Sequence, residues 1–319
     1  MRRAGYILIL FSLLIRLNSS AQSSDSARII LGYPVYSQYL HNGLMINPAY
    51  AGCRDALTAT VSYRMQWMGV ADAPRLQTIS LHTPMKNDKV ALGLNARFMQ
   101  YGITKSSSIY AIYAYHIRLR NGKLSFGLKA GVDMSNTNYT GLLGIARPDP
   151  VFPDDNNSFV FPNAGAGIYY YDKRLFAGVS VPSFLFYKSI GGGKTQAYHS
   201  FDEYDIIFSG GGLITFSPGF KFKPSALLDL SMHDTKKINQ LDLNGNFIIS
   251  DLVWIGASWR TTEQVIVGHL QVNLGQQLML GFSYDYPAGR MSTYSKGSSE
   301  IVLRYEFGSR ISASNPRYF

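Results

Sequence analysis

Residues 57–67, LTATVSYRMQW, alternate strictly between apolar and polar side chains. Leu57, Ala59, Val61, Tyr63, Met65 and Trp67 share one face, and Thr58, Thr60, Ser62, Arg64 and Gln66 share the other. A period of two is the mark of an extended strand whose faces meet different surroundings. The same order returns in KVALGLNARFM (89–99), KLSFGLKAGVDM (123–134), LVWIGASWR (252–260), QLMLGFSYDY (277–286) and SEIVLRYEF (299–307). With weaker candidates, the pattern predicts about fourteen strands, beginning near 57, 75, 89, 107, 123, 164, 174, 205, 221, 238, 252, 263, 276 and 297. Many are about 9–11 residues long, the length of a tilted bilayer crossing, whereas strands of soluble sheets average about 5–6. In the clean strands every ionised side chain lies on the polar face. A charge turned to lipid at mid-depth would cost about 2–4 kcal/mol.

The connections are sorted by parity. Counting from the first strand, with the N-terminus taken as periplasmic, the even-numbered ones are short: 85–89, 120–123, 172–173, 217–220, the turn at Ser250-Asp251, and 275–276. Asn121-Gly122 is a hairpin signal, since both residues tolerate positive φ. The long connections, 135–163, 183–204 and 287–296, are all odd-numbered. Short turns on one side and long loops on the other make an outer-membrane barrel. A soluble sandwich has no reason to segregate its loops, and a propeller would show a blade repeat of about 40–50 residues, which is not visible. The expected fold is therefore all-β, a transmembrane barrel of about fourteen antiparallel strands over 57–307.

Composition agrees. Of 319 residues only 16% are charged, while 22 are Tyr and 30 Gly. The mean hydropathy of −0.03 excludes a polytopic helical membrane protein but not alternating strands, which average to near zero. Residues 1–21 read as a signal peptide: Arg2 and Arg3, an apolar run from Tyr6 to Ile15, then Ser19-Ser20-Ala21. The net charge of +10 includes Arg2, Arg3 and Arg16, and no Lys/Arg run suggests a nucleic-acid partner. Cys53 is the sole cysteine and reads as a small tucked residue. Residues 22–56 lack period-two order, and are expected to plug the lumen or lie beneath it on the periplasmic side. Residues 308–319 form a short tail ending in Phe319.

Catalytic patterns are weak. GGGKT (191–195) lacks the phosphate-loop glycine, with Lys188 in its place, and GVSVP (178–182) lacks the second glycine of a nucleophile elbow. The six histidines form no HxxxH or HExxH pair, and PDDNN (153–157) lacks a calcium-loop spacing. Asp285, His269 and several serines could be arranged as a triad, but polar residues line any barrel interior. No catalytic residue, cofactor or metal is expected.

YSQYLHNGLMINPAYAG (36–52) resembles the N-terminal signature of the PorP/SprF family of type IX secretion outer-membrane proteins of Bacteroidota. Ser37, Gln38, Tyr39, Asn47, Pro48, Ala49, Tyr50, Ala51 and Gly52 match it. Further similar blocks run in order along the chain: DPVF (149–152), FPNAGAGIYYY (161–171), KPSALLDL (223–230), WIGASWR, LGFSYDYP, YSKGSSEIVLRYEF and the terminal NPRYF. Ser299 departs from the His that many members carry before Glu. The resemblance implies a non-enzymatic outer-membrane barrel. It would be a component of the secretion machine, near its periplasmic ring and peptidoglycan-linked lipoprotein, or the dedicated export and attachment partner of a large adhesin with a type B C-terminal domain. The nine matching residues are the expected plug or partner contacts; a tight Pro/Gly turn seating the plug would use 47–52 equally well. A small-solute channel or hydrophobic-ligand transporter is the alternative.

Overall fold

The computed structural model describes residues 35–85, 88–138, 156–189, 195–232 and 238–308; the expected signal peptide, residues 22–34 of the N-terminal segment and the tail from 309 lie outside them. The first wall strands are β1 (Leu57–Met65), β2 (Arg75–Pro84), β3 (Val90–Tyr101), β4 (Thr104–Arg118), β5 (Gly122–Asn138), β6 (Asn156–Asp172) and β7 (Leu175–Val181). A hairpin of β8 (Phe186–Ser189) and β9 (Thr195–Tyr198) follows outside the wall, which resumes with β10 (Asp205–Gly212), prolonged past Leu213 by β11 (Ile214–Ser217). The last six are β12 (Phe220–Ser231), β13 (Ile238–Ile249), β14 (Val253–Arg260), β15 (Val265–Leu274), β16 (Leu278–Pro287) and β17 (Ser298–Phe307).

Each wall strand pairs antiparallel with its neighbours, β10 pairs both β7 and β12, and β17 closes on β1 from Leu57↔Phe307 to Met65↔Ser299. With β10 and β11 as one stave, this is a closed barrel of fourteen strands. Closure removes every long open edge, which a sheet in lipid requires. No helix of the described residues is long and apolar enough to cross a membrane.

Burial decides which way the strands face. In β1 the apolar Val61 is 47% exposed, while Thr58, on the opposite face, is fully covered. Along β16, Leu280 and Phe282 are exposed while Ser283 and Asp285 are buried. A soluble sheet packed on a core would show the reverse; here the apolar face looks out and the polar face in.

Short turns join the strands at one end: 85–89, 119–121, 173–174, 218–219, 250–252 and 275–277. At the corner between β13 and β14, Ser250 and Asp251 have φ of 52° and 56°, the positive values that match strand twist. The β4–β5 turn falls where Asn121-Gly122 predicts it, but neither residue is among those with positive φ.

Two boundaries differ from the sequence pattern. The first strand ends at Met65, and Trp67 turns away with φ of 51°. Further along, β5 and β6 are 17 residues each and pair out to Asn138↔Asn156, so much of the expected 135–163 loop is a stem. Beyond the lipid the outward face of a stem no longer has to be apolar, so no apolar alternation marks it, although Phe161 and Asn163 stay buried on the inner face.

Candidate functional site

Residues 36–54 pack against the inward-facing side of the wall strands. Two single-turn 3-10 helices, Gly43–Met45 and Pro48–Tyr50, break this stretch, and nearly all of residues 36–54 are buried. β17 serves as a ruler for their course. The backbone N–H of Ser37 donates to Glu300 (2.9 Å), the His41 carbonyl accepts from Arg304 (3.3 Å), and Arg54 pairs with Glu306 (3.3 Å). The segment thus runs from the long-loop end of the lumen to the short-turn end, and Leu57 then turns back up as β1.

The NPAYAG stretch fits the wall residue by residue. Asn47 caps the second 3-10 turn by accepting from the N–H of Ala49 (2.9 Å). Its amide nitrogen donates to the carbonyls of Ile168 (3.0 Å) and Val179 (3.3 Å) in β6 and β7. Room for this comes from missing side chains: a Cβ on Gly167 would lie 2.1 Å from Asn47 Oδ1. Likewise a Cβ on Gly127 would lie 2.1 Å from the Ala49 nitrogen, where Pro48 and Ala49 press on β5. Tyr50 sets its ring edge-to-face against His82 (5.7 Å) and Tyr169 (5.6 Å), the geometry the ring quadrupoles favour. Ala51 joins the same apolar cluster, and Gly52, at φ +76°, donates to His82 Nδ1 (3.1 Å).

At the long-loop end, Ser37, Gln38 and Tyr39 meet a set of buried charges. Ser37 Oγ donates to Asp285, 2.9 and 2.8 Å from its two carboxylate oxygens, and accepts from Arg64 (2.8 Å) and Arg260 (3.2 Å). Asp285 is ion-paired to Arg64 (2.6 Å) and Arg260 (3.2 Å), Arg64 also to Glu300 (3.5 Å), and Arg260 also to Asp242 (3.1 Å). Two guanidinium groups thus face three buried carboxylates, the five residues contributed by five wall strands, and Arg260 also pairs with the partly exposed Glu263 (3.4 Å). Charges taken out of water hold together only with such near-complete pairing. Gln38 donates to the Glu300 carbonyl (2.9 Å), and the Tyr39 hydroxyl accepts from Asn244.

All nine residues singled out in the sequence are therefore buried and in contact with the wall. Their partners Arg64, Asp242, Arg260 and Glu300 were not singled out, although each sits on the polar face of a strand, which in a barrel means inside. Asp285 is committed to the two arginines. The sequence's triad candidate His269 hydrogen-bonds Ser258, which also hydrogen-bonds Asn244 beneath Tyr39, away from open solvent. Among the described residues no group of His, Cys, Asp and Glu is placed to hold a metal. Cys53 is buried, its Sγ 3.9 Å from the Ala49 carbonyl, and burial pushes its thiol pKa up. Beyond the charged cluster, a cavity of about 510 Å³ opens among Trp67, Glu263, Asp285, Arg290, Met291 and Ser298.

The family model of the "Type IX secretion system membrane protein PorP/SprF" matches residues 30–305. The chain belongs to the PorP/SprF family. This PorP/SprF protein is an outer-membrane β-barrel, and the match spans the lumen segment and nearly the whole wall. Among solved structures it resembles the toluene transporter TbuX of Ralstonia pickettii, at 8% identity and a TM-score of 0.51, over 83% of this chain and 93% of that one. It also resembles Acinetobacter baumannii Omp33, at 8% identity and a TM-score of 0.46, over 80% of this chain and 100% of that one. The CymD monoaromatic hydrocarbon channel aligns at 12% identity and a TM-score of 0.47, over 88% of this chain and 94% of that one. At such identities the first likeness speaks for the fold alone. No match to an individually curated protein sequence is found.

Proposed function

We propose that this barrel is a non-catalytic component or partner of type IX secretion, with residues 35–56 as a fixed plug that closes its lumen. It acts either in the machine, beside the periplasmic ring and its peptidoglycan-linked lipoprotein, or as the dedicated export and attachment partner of one large adhesin with a type B C-terminal domain. The observation that carries this reading is the continuous attachment of the segment to the wall, from Ser37 at Asp285, through Asn47 at Ile168, to Arg54 at Glu306. A barrel built for bulk solute flow gains nothing from filling its lumen with its own chain. A partner-dedicated barrel instead uses its rigid wall to present loops and chain termini.

The test is deletion of the gene followed by comparison of the secreted and surface proteomes. Loss of all type IX cargo identifies a machine component, and loss of one adhesin identifies a dedicated partner. An unchanged secretome refutes the proposal. The second reading, a channel or hydrophobic-ligand transporter, is favoured by the cavity of about 510 Å³ at the long-loop mouth. Single-channel recording of the purified protein separates the two, because steady open currents are incompatible with a fixed plug.

A further inference from the structure

We propose that Arg75 and Lys105 form, on the outside of the barrel wall, a binding site for the phosphate group of an outer-leaflet lipid. Ionised side chains within the wall strands turn inward, as Arg64, Asp133, Arg260, Asp285 and Arg304 do, all of them buried. Arg75 and Lys105 do the opposite. Leu76 and Thr78 are buried on the inner side of β2, and Ser106 and Ser108 on the inner side of β4. By alternation Arg75 and Lys105 fall on the outward, lipid-facing side, where both are exposed. They also share one height. Arg75 pairs with Gln100 of β3 and Gln100 pairs with Lys105, and the row continues to Asn136 of β5 and Ser158 of β6. Arg75 is the first residue of β2, Gln100 the next to last of β3 and Lys105 the second of β4, all at the long-loop end.

The charge of this patch is unmatched. Among the described residues neither Arg75 nor Lys105 makes an ion pair or a side-chain hydrogen bond. Asp72, held near the β3–β4 turn by the bond from the Gly102 N–H to its carbonyl (2.9 Å), pairs with neither. Neighbouring strands lie about 4.8 Å apart, so about 10 Å separates the Cα atoms of Arg75 and Lys105, a span that two long side chains close over Gln100. Two cations flanking an amide suit an anion, and the guanidinium fork matches phosphate oxygens. Depth in the wall makes that anion a headgroup. Phe98, Ile79 and Ile109, 40–43% exposed, face outward below the row. They lie two to four strand residues down, about 7–13 Å along the wall. Acyl chains cover those side chains, which leaves the row above them at the level of the phosphate. A free phosphate would meet only the two cations, whereas a lipid adds the apolar contact with Phe98, Ile79 and Ile109. The lipid is therefore the occupant. Asn136 donates to Ser158 (2.8 Å) and extends the row as a polar band beside it. The inference rests on the outer-membrane location with the long loops outward, and not on the secretion role.

The test mixes the purified barrel, in a non-ionic detergent, with monophosphoryl lipid A, with the same lipid stripped of its phosphate, or with inorganic phosphate. Retained adducts are read by native mass spectrometry, and heat-modified gel mobility establishes that each variant is folded. Monophosphoryl lipid A is expected to be retained at least about tenfold better than the phosphate-free lipid, since charge-assisted bonds to phosphate are the strong ones. Arg75→Gln combined with Lys105→Gln should lose that advantage, while Arg75→Lys combined with Lys105→Arg should keep most of it. Lys173→Gln, in the short turn at the other end of the wall, should bind as the parent does. Equal retention of the phosphate-free lipid, or parental retention by the double Gln variant, overturns the inference. A loss as large in Lys173→Gln overturns it too, because binding would then follow overall charge. Displacement of the lipid by inorganic phosphate at equal concentration would make this a soluble-anion site and refute the lipid as its occupant.

Discussion

The hydroxyl of Ser37 lies 2.9 and 2.8 Å from the two carboxylate oxygens of Asp285, residues 248 positions apart in the chain. That contact ties the lumen segment to the wall at the point where Arg64 and Arg260 converge on the same carboxylate. Asp285→Asn removes the charge both arginines share. Breaking a buried ion pair from one side costs about 3–5 kcal/mol, because the other charge stays uncompensated. The loss falls on the mouth end of the segment. Amide hydrogen exchange at Ser37–Asn42 should therefore accelerate strongly, with exchange in β4 and β5 unchanged. Ser37→Ala keeps the ion pairs and loses about 1–3 kcal/mol, so its acceleration should be smaller.

Glycines in the wall make the seat for the NPAYAG stretch, and replacing one should unseat it. On Gly127 a Cβ would fall 2.1 Å from the backbone nitrogen of Ala49, far inside contact distance and against backbone that cannot swing aside. Gly268, on the outward face of β15, has nothing within 4 Å of the same added atom. Gly127→Ala is thus expected to lower the midpoint of thermal unfolding in detergent and to open residues 47–52 to protease. Gly268→Ala should leave both unchanged. Equal behaviour of the two variants would show that the segment does not press on β5.

Cys53 reports on the same seat without any added label site. Its side chain is buried in the cluster of Leu44, Tyr50 and Tyr169, and burial holds its thiol above the ordinary range, so little thiolate forms at neutral pH. A maleimide should leave the folded protein unlabelled over the time in which the urea-unfolded chain reacts fully. Adding Asn47→Ala, which removes hydrogen bonds to Ile168 and Val179, should bring reaction at Cys53 to a lower temperature than in the parent. Ready labelling of the folded parent would mean that the segment leaves the lumen.

The wall was legible in the sequence because lipid and lumen impose opposite demands on alternate residues. Thirteen of the fourteen wall strands begin within three residues of the expected starts, since Leu57, Val61 and Leu280 had to face one way and Thr58, Ser62 and Asp285 the other. The exception is β6, which begins at Asn156 against an expected 164, where its stem leaves the bilayer and the alternation loses its cause. The lumen segment was legible as a motif but not as a geometry. Nothing local in NPAYAG says that Asn47 reaches between Gly167 and Gly178, because those glycines are more than a hundred residues away. The direction of the segment was equally hidden. It is set by pairings such as Ser37 with Glu300, between residues 263 apart.

Leu270 tests the assignment of the outer face itself. It is the sixth of ten residues in β15, 44% exposed, and lies between Ile255 of β14 and Phe282 of β16, both also exposed. In water such a row would invite aggregation; at mid-depth in a bilayer it is the surface the lipid wets. Leu270→Arg should therefore cost about 2–4 kcal/mol of folding free energy, the penalty for a cation near the bilayer midplane. Equilibrium unfolding in urea from phospholipid vesicles would read this as a lowered midpoint. Tyr294→Arg, in the long loop before β17 and 73% exposed, should leave the midpoint where it was, because that loop stands in water. If Leu270→Arg were as neutral as Tyr294→Arg, the ring of exposed apolar side chains would not face lipid.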